Sequence, residues 1–300
     1  MTKFRRFAAI FLAMVCIMIT AACEKEDDKQ NTGDITGPEA TSQVAKDPED
    51  LLDNPLKVVF FEIGKADAFL IYNKGASILI DTGESENAEE ILEYMEKKEI
   101  SSLDYLFITH FDKDHVGGAS RIMEGTEVKQ VYTSNYPKSS GEYDNFKKVI
   151  NKKDIPAAVL RENTTLSING IDIEVNTPVQ DVYDEDPSNN SSLIIRVTYG
   201  EKSFLFMGDA MGERIREYLA TDIKECSVIK MPYHGNYLPG LDELLKKARP
   251  KYAVITSSKE MKEAEETNQT LKDHNVQIYK TRKGRVIIET DGRDISVTQK

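Results

Sequence analysis

The segment Thr109-His110-Phe111-Asp112-Lys113-Asp114-His115-Val116-Gly117-Gly118 packs two imidazoles and two carboxylates into the six positions from His110 to His115. Imidazole nitrogen and carboxylate oxygen both bind first-row divalent cations. A loop leaving the end of a strand turns alternate side chains toward one point, so His110 with Asp112, and Asp114 with His115, can serve two neighbouring cations. Two such cations would lower the pKa of a bridging water, supply hydroxide near neutral pH, and neutralise charge building on an attacked phosphoryl or carbonyl group. Gly117 and Gly118 let the backbone turn tightly behind the loop.

The elements that must position this loop are legible as short apolar runs alternating with amphipathic stretches. Val58–Phe61, Ala68–Tyr72 and Ser77–Ile80 read as closely spaced strands, and Asn87–Lys98 as a helix. Tyr105–Ile108 is a strand feeding the His/Asp loop, followed by a predicted helix near Val116–Met123, a strand at Gln130–Thr133 and a helix near Tyr143–Asn151. The second half repeats the alternation, with strands at Ile171–Val175, Leu193–Val197, Ser203–Met207, Val228–Lys230 and Ala253–Thr256. Helices are expected at Glu213–Leu219, Leu241–Lys247 and Met261–His274, and strands at Gln277–Tyr279, Arg285–Glu289 and Ile295–Val297 close the chain. Strands with helices to cover both faces predict an α/β fold, a four-layer αββα sandwich in one domain over residues 56–300.

The 300 residues are two fifths hydrophobic, enough for a sizeable core. The formal charge of −12, more negative still once Lys3, Arg5 and Arg6 are removed, excludes tight non-specific nucleic-acid binding driven by the global field. Residues 1–22 read as an export signal, with a basic start, an apolar run from Phe7 to Ile19 and small residues before Cys23. Thr20-Ala21-Ala22-Cys23 resembles a bacterial lipobox, with Thr20 where Leu is more usual. That resemblance implies cleavage before Cys23, lipid on its sulfur, and a body held at the exported face of the cell membrane. The alternative is a plain secretory signal or uncleaved anchor with Cys23 an ordinary thiol. Residues 23–55 have the polar composition of a solvated tether. Cys226 is then the one cysteine of the body, leaving no disulfide, and its apolar surroundings suit an inert half-buried thiol.

His-x-Asp-x-Asp-His-x-Gly-Gly, His110 to Gly118, resembles the metal loop of the metallo-β-lactamase superfamily, in particular the domain of ComEC-type DNA-uptake proteins. The resemblance runs from about Val58 to the C-terminus. Ile80-Asp81-Thr82-Gly83 matches the early Asp-x-Gly strand end, Phe206-Met207-Gly208-Asp209 the Gly-Asp motif, and Met231-Pro232-Tyr233-His234-Gly235 the late His-Gly motif. It implies His110 and Asp112 on one metal, Asp114, His115 and His234 on the other, and Asp209 bridging both. Asp114 is placed to orient the attacking water, and Asp81 to support the loop by hydrogen bonding. A further His expected in many members is absent. Ser188-Asn189-Asn190-Ser191-Ser192 stands there, so that Asn190 or Ser191 oxygen, or water, fills the place, unless these residues simply form a turn. The oxygen-rich set suits two divalent ions, Mn²⁺ or Zn²⁺.

Each residue also has a structural reading. His274, in a polar helix end, reads as a surface residue, and Asp209 is also suited to cap the helix beginning near Gly212. Lys280-Thr281-Arg282-Lys283-Gly284-Arg285 is either a phosphate contact or a basic hairpin turn. Tyr233 and Tyr237 either stack on bases or pack. The resemblance implies a hydrolase of phosphodiester bonds in DNA or a nucleotide-like substrate. Hydrolysis of a lactam, lactone or ester, and a non-catalytic surface lipoprotein in DNA uptake or envelope assembly, are the alternatives.

Overall fold

The computed structural model describes residues 51–300. The predicted leader, Cys23 and nearly all of the predicted tether lie outside the described residues. Described residues ahead of the expected Leu56 already contact the body. Leu51 already packs in the core, Lys74 N–H donates to Asn54 Oδ1 at 2.7 Å, and Tyr199 Oη donates to Asn54 O.

Among the described residues, seventeen strands build two large sheets and one two-stranded ribbon. The first sheet contains β1 (Leu56–Phe60), β2 (Phe69–Asn73), β3 (Ala76–Ile80), β5 (Tyr105–Ile108), β7 (Val131–Thr133), β8 (Ala157–Val159), β16 (Val286–Thr290) and β17 (Ile295–Gln299). Their order is β17-β16-β1-β2-β3-β5-β7-β8. The second contains β9 (Thr164–Ile168), β10 (Ile171–Asn176), β11 (Ile194–Tyr199), β12 (Lys202–Phe206), β13 (Val228–Lys230), β14 (Tyr252–Ile255) and β15 (Gln277–Lys280), ordered β15-β14-β13-β12-β11-β10-β9. The ribbon pairs β4 (Ser102–Leu103) with β6 (Glu127–Val128).

Alternation along the strands makes the four layers. In β5, Phe107 points into the core shared by the two sheets, while Leu106 and Ile108 point to the helices of the first sheet. In β12, Phe204 and Phe206 face the shared core, and Leu205 faces the helices of the second sheet. The outer layers are α1 (Ala88–Lys97), α2 (Lys113–Val116), α3 (Ala119–Gly125) and α4 (Gly141–Lys153) on one side. On the other lie α6 (Gly212–Leu219), α7 (Leu241–Ala248) and α8 (Glu265–Asp273). A fully buried phenylalanine such as Phe107 contributes about 1.5–3 kcal/mol by removal from water, which is why the rings of Phe60, Phe69, Phe107 and Phe206 anchor the inter-sheet layer.

The αββα sandwich is as expected, with local differences. The single helix predicted from Val116 is two, α2 and α3, separated by Gly117 and Gly118. A Cβ at Gly118 would run into Thr82 O. The helix predicted from Met261 starts at Glu265, because the preceding loop is tied through Glu263 to Ser257 and Arg282. The three-residue β8, Ala157-Ala158-Val159, the strand β9, with Leu166 and Ile168 at alternate positions, and the four-residue polar α5 (Pro187–Asn190) are additional to the expected elements. Among the described residues no helix is long and apolar enough to cross a membrane.

Candidate metal centre

The ends of β3, β5, β12 and β13 converge, and each delivers polar side chains past its last apolar residue. Asp81 follows Ile80, His110 follows Ile108 by two positions, Asp209 lies just beyond Phe206, and His234 lies just beyond Lys230. Asp81, His110, His115, Asp209 and His234 are all buried.

Asp81 organises the imidazoles from below, with a φ of 55° that Asp tolerates better than most residues. His115 Nδ1 donates to Asp81 Oδ2 at 2.8 Å. Thr109 N–H donates to Asp81 Oδ1 at 2.8 Å, and Thr109 Oγ1–H donates to Asp81 Oδ2 at 2.7 Å. With its proton so used, Thr109 Oγ1 accepts from His110 Nδ1 at 3.2 Å. Both Nδ1 atoms are therefore donors, and both Nε2 lone pairs face forward. His234 is held in the same way by its Nδ1 contact of 3.1 Å with Thr256 Oγ1.

The forward atoms meet. His115 Nε2 is 3.3 Å, and His234 Nε2 3.0 Å, from Asp209 Oδ2, and His234 Nε2 is 3.4 Å from Asp114 Oδ2. One donor atom from each of Asp114, His115, Asp209 and His234 falls within 4.8 Å of the others. The Nε2 atoms of His110, His115 and His234 and Asp209 Oδ1 are buried with no hydrogen-bond partner. Buried polar atoms that converge without partners are costly unless something binds them, and nitrogen and carboxylate oxygen are the donors a divalent cation takes. The residues fit a metal ion.

The electrostatics agree. Burial opposes charge on His115 and His234, but Asp209 with Asp81 at the first, and Asp209 with Asp67 at the second, outweigh it and raise both pKa values. Burial and the neighbouring His115 instead lower that of His110. Burial also penalises the Asp209 carboxylate, yet His234, His115 and Lys230 hold its pKa well below the ordinary range.

His110 and Asp112 stand to one side, with His110 Nε2 4.0 Å from Asp112 Oδ1. That oxygen accepts hydrogen bonds from both Lys138 Nζ and Ser188 Oγ. The polar atoms of Asn190 and Ser191 are spent elsewhere. Asn190 Oδ1 accepts from Arg214 N–H, Asn190 Nδ2 donates to Glu185 O, and Ser191 Oγ donates to Ser188 O. The polar atoms of both residues thus bond within and beside the turn, and Ser188 reaches the cluster. Tyr233 is half-buried with Lys65 Nζ 5.2 Å from its ring centre, and Tyr237 is exposed. Tyr233, His234 and Gly235 are consecutive left-handed residues, with φ of 44°, 53° and 80°.

Two residues at the base of the centre were missed in the sequence. Asp67, in the β1–β2 loop, and Lys230, the last residue of β13, form an ion pair buried on both sides. Lys230 Nζ also donates to Gly208 O at 3.0 Å and lies 3.5 Å from Asp209 Oδ1. Asp67, Asp81 and His115 form a second acidic group close together, and its cation is already present as the Lys230 ammonium. The available signal was a single charge inside an otherwise apolar strand or strand entry.

The basic run is largely neutralised. Arg282 Nε and Nη2 donate to Glu263 at 3.1 and 3.0 Å, Lys280 pairs with the same carboxylate, and Arg285 pairs with Glu90. This favours the hairpin reading. His274 Nε2 meets Asp242 Oδ1 at 2.8 Å on the surface, and burial pushes the Cys226 thiol up to about 12, which makes it inert.

Residues 63–257 match the model of the metallo-beta-lactamase superfamily. The chain belongs to this superfamily. Its members are generally metal-dependent hydrolases. Among curated proteins, the chain is 24% identical over 249 residues to ComE operon protein 3 of Bacillus subtilis, covering 75% of this chain and 32% of that protein. It is 28% identical over 203 residues to Recombination protein 2 of Haemophilus influenzae, covering 66% of this chain and 24% of that protein. The chain thus spans a third or less of the length of these relatives. Among solved structures, the metallo-beta-lactamase fold protein YhfI from Bacillus subtilis superposes with a TM-score of 0.55 at 12% identity, covering 79% of this chain and all of that one. At that identity the likeness is one of fold.

Proposed function

We propose that this superfamily member hydrolyses phosphodiester bonds in DNA or a nucleotide-like substrate, at the exported face of the cell membrane, where lipid on Cys23 holds it. The observation that carries the metal-dependent chemistry is the convergence of two partnerless Nε2 atoms, from His115 and His234, on the buried Asp209 carboxylate, with Asp114 beside them. The names of the two curated relatives, a ComE operon protein and a recombination protein, support the competence branch and with it a nucleic-acid substrate.

Asp114, His115, His234 and Asp209 would hold one divalent cation, Mn²⁺ or Zn²⁺, and His110 and Asp112 stand where a second would bind beside Asp209. A divalent cation bound there activates water and offsets charge building on the attacked group. The chain supplies the rest. Asp81, Thr109 and Thr256 fix the imidazoles. Asp114, with its side chain 21% exposed at the mouth, orients a water and holds its proton. Lys138 and Lys65 bring positive charge to a mouth in an otherwise acidic body, which suits a phosphoryl anion.

The test is a substrate panel. Mn²⁺- and Zn²⁺-loaded full chain is assayed on bis-p-nitrophenyl phosphate, single- and double-stranded DNA, a lactam, a lactone and a carboxylic ester, beside Asp209→Ala. Phosphodiester cleavage lost in the variant supports the proposal. Turnover confined to lactam, lactone or ester, or metal binding without turnover, rejects it for the other two readings.

A further inference from the structure

The position beside His110 is built differently from its neighbour. Asp114, His115, Asp209 and His234 gather around one point, and the Lys230 ammonium stands 3.5 Å from Asp209 Oδ1. On the other side, the donors available to a second ion are His110 Nε2, Asp112 and Asp209. Of the segment 188–192, which stands in place of the missing His, Asn189 Oδ1 is buried without a hydrogen-bond partner, and the other side chains are spent. Ser192 Oγ accepts from Asp209 N–H at 3.1 Å and sits 3.4 Å from His110 Nδ1, behind the ring. Asn190 and Ser191 are spent on the backbone. Ser188 reaches the site only by donating to Asp112 Oδ1.

That same oxygen accepts from Lys138 Nζ, which arrives from the loop between β7 and α4. Among the carboxylates of the centre, Asp67 is paired with Lys230 and Asp112 with Lys138, Asp81 is bound by Thr109 and His115, and Asp114 and Asp209 together balance one divalent ion. A further dication at His110 would add two charges and find no unpaired carboxylate of its own.

We infer that the Lys138 ammonium takes the place of the second metal ion, so that the chain holds a single tightly bound divalent cation between Asp114, His115, His234 and Asp209. This rests on the metal-dependent reading above. Lys138 is then a fixed monovalent cation at the mouth, anchored by Asp112, which Ser188 holds in turn, with His110 Nε2 4.0 Å from the shared Asp112 oxygen.

The test is the metal stoichiometry of the purified full chain, by elemental mass spectrometry after gel filtration and by calorimetric titration with Mn²⁺ and Zn²⁺. Wild type is expected to bind one equivalent tightly, Asp209→Ala to lose it, and His110→Ala to keep it. Lys138→Met, at a side chain one third exposed, is expected to admit a second equivalent at least tenfold more tightly than wild type does. Adding His110→Ala to that variant should remove the second again. Two tight equivalents in wild type, or no gain in Lys138→Met, overturn the inference and leave the metal-dependent reading standing. No bound metal in folded wild type overturns both.

Discussion

His115 and Asp81 are joined by a 2.8 Å hydrogen bond from Nδ1 to Oδ2, and through Thr109 the same carboxylate also fixes His110. Asp81 therefore sets the tautomer of two imidazoles without itself facing the centre. Carboxylates behind metal-bound imidazoles typically contribute ten- to hundredfold in affinity. Asp81→Asn is expected to weaken Mn²⁺ or Zn²⁺ binding by about that factor while retaining the fold, as read by calorimetry beside far-ultraviolet circular dichroism. Unchanged affinity would show that Asp81 does not position the imidazoles.

Asp67 and Lys230 form a fully buried ion pair beneath Asp209. Removing one partner of such a pair strands the other charge and costs about 3–5 kcal/mol. Lys230→Met is expected to lower unfolding stability by that amount in denaturant titration, and the double variant Asp67→Asn/Lys230→Met to recover much of it. A double variant no more stable than the single would argue against coupling between the two.

The raised pKa values of His115 and His234 mean that the metal-free centre holds protons where a cation would bind. Each imidazole must be neutral to bind metal, so binding expels protons. Below the raised histidine pKa values, cation binding is expected to release protons. The release should decline, with apparent affinity climbing, as pH rises through the raised histidine values. Titration calorimetry in buffers of different ionisation enthalpy reads this directly, and a pH-independent affinity would contradict it.

Gly235 has φ of 80°, and a Cβ there would press on Ile255 and Glu263 at 2.7 and 3.0 Å. Gly235→Ala is expected to cost about 1–3 kcal/mol and to displace His234, weakening metal binding as well. Thermal unfolding with and without metal separates the two effects: a variant as stable and as tightly binding as wild type would remove the strain argument.

Cys23 carries the membrane part of the proposal. Cells fed an alkyne fatty acid should yield a labelled full chain that partitions with membranes, and Cys23→Ser should abolish both label and partition. Persisting label in the variant would place the lipid elsewhere.

The sequence exposed those parts of the centre that lie in one short loop or at strand ends. His110 to His115 are neighbours, and Asp81, Asp209 and His234 each interrupt an apolar run with a glycine close by. Lys138 and Ser188 were hidden because they arrive from a loop and from the one-turn α5, 26 and 76 positions from Asp112, in polar stretches with no periodicity. Lys230 escaped notice because a three-residue strand is too short to mark one charge as out of place. The same brevity concealed β8, and α5 is one turn long. Asn190 and Ser191 were weighed by sequence position, but the tight α5 turn directs their polar atoms to Glu185, Ser188 and Arg214 and sends Ser188 inward.

The most direct test is anomalous scattering from a crystal soaked in Mn²⁺, with data at the manganese edge. A peak is expected within coordinating distance of His115 Nε2, His234 Nε2, Asp209 and Asp114. A map with no peak among these four side chains, in a crystal whose solvent contains the ion, would contradict it.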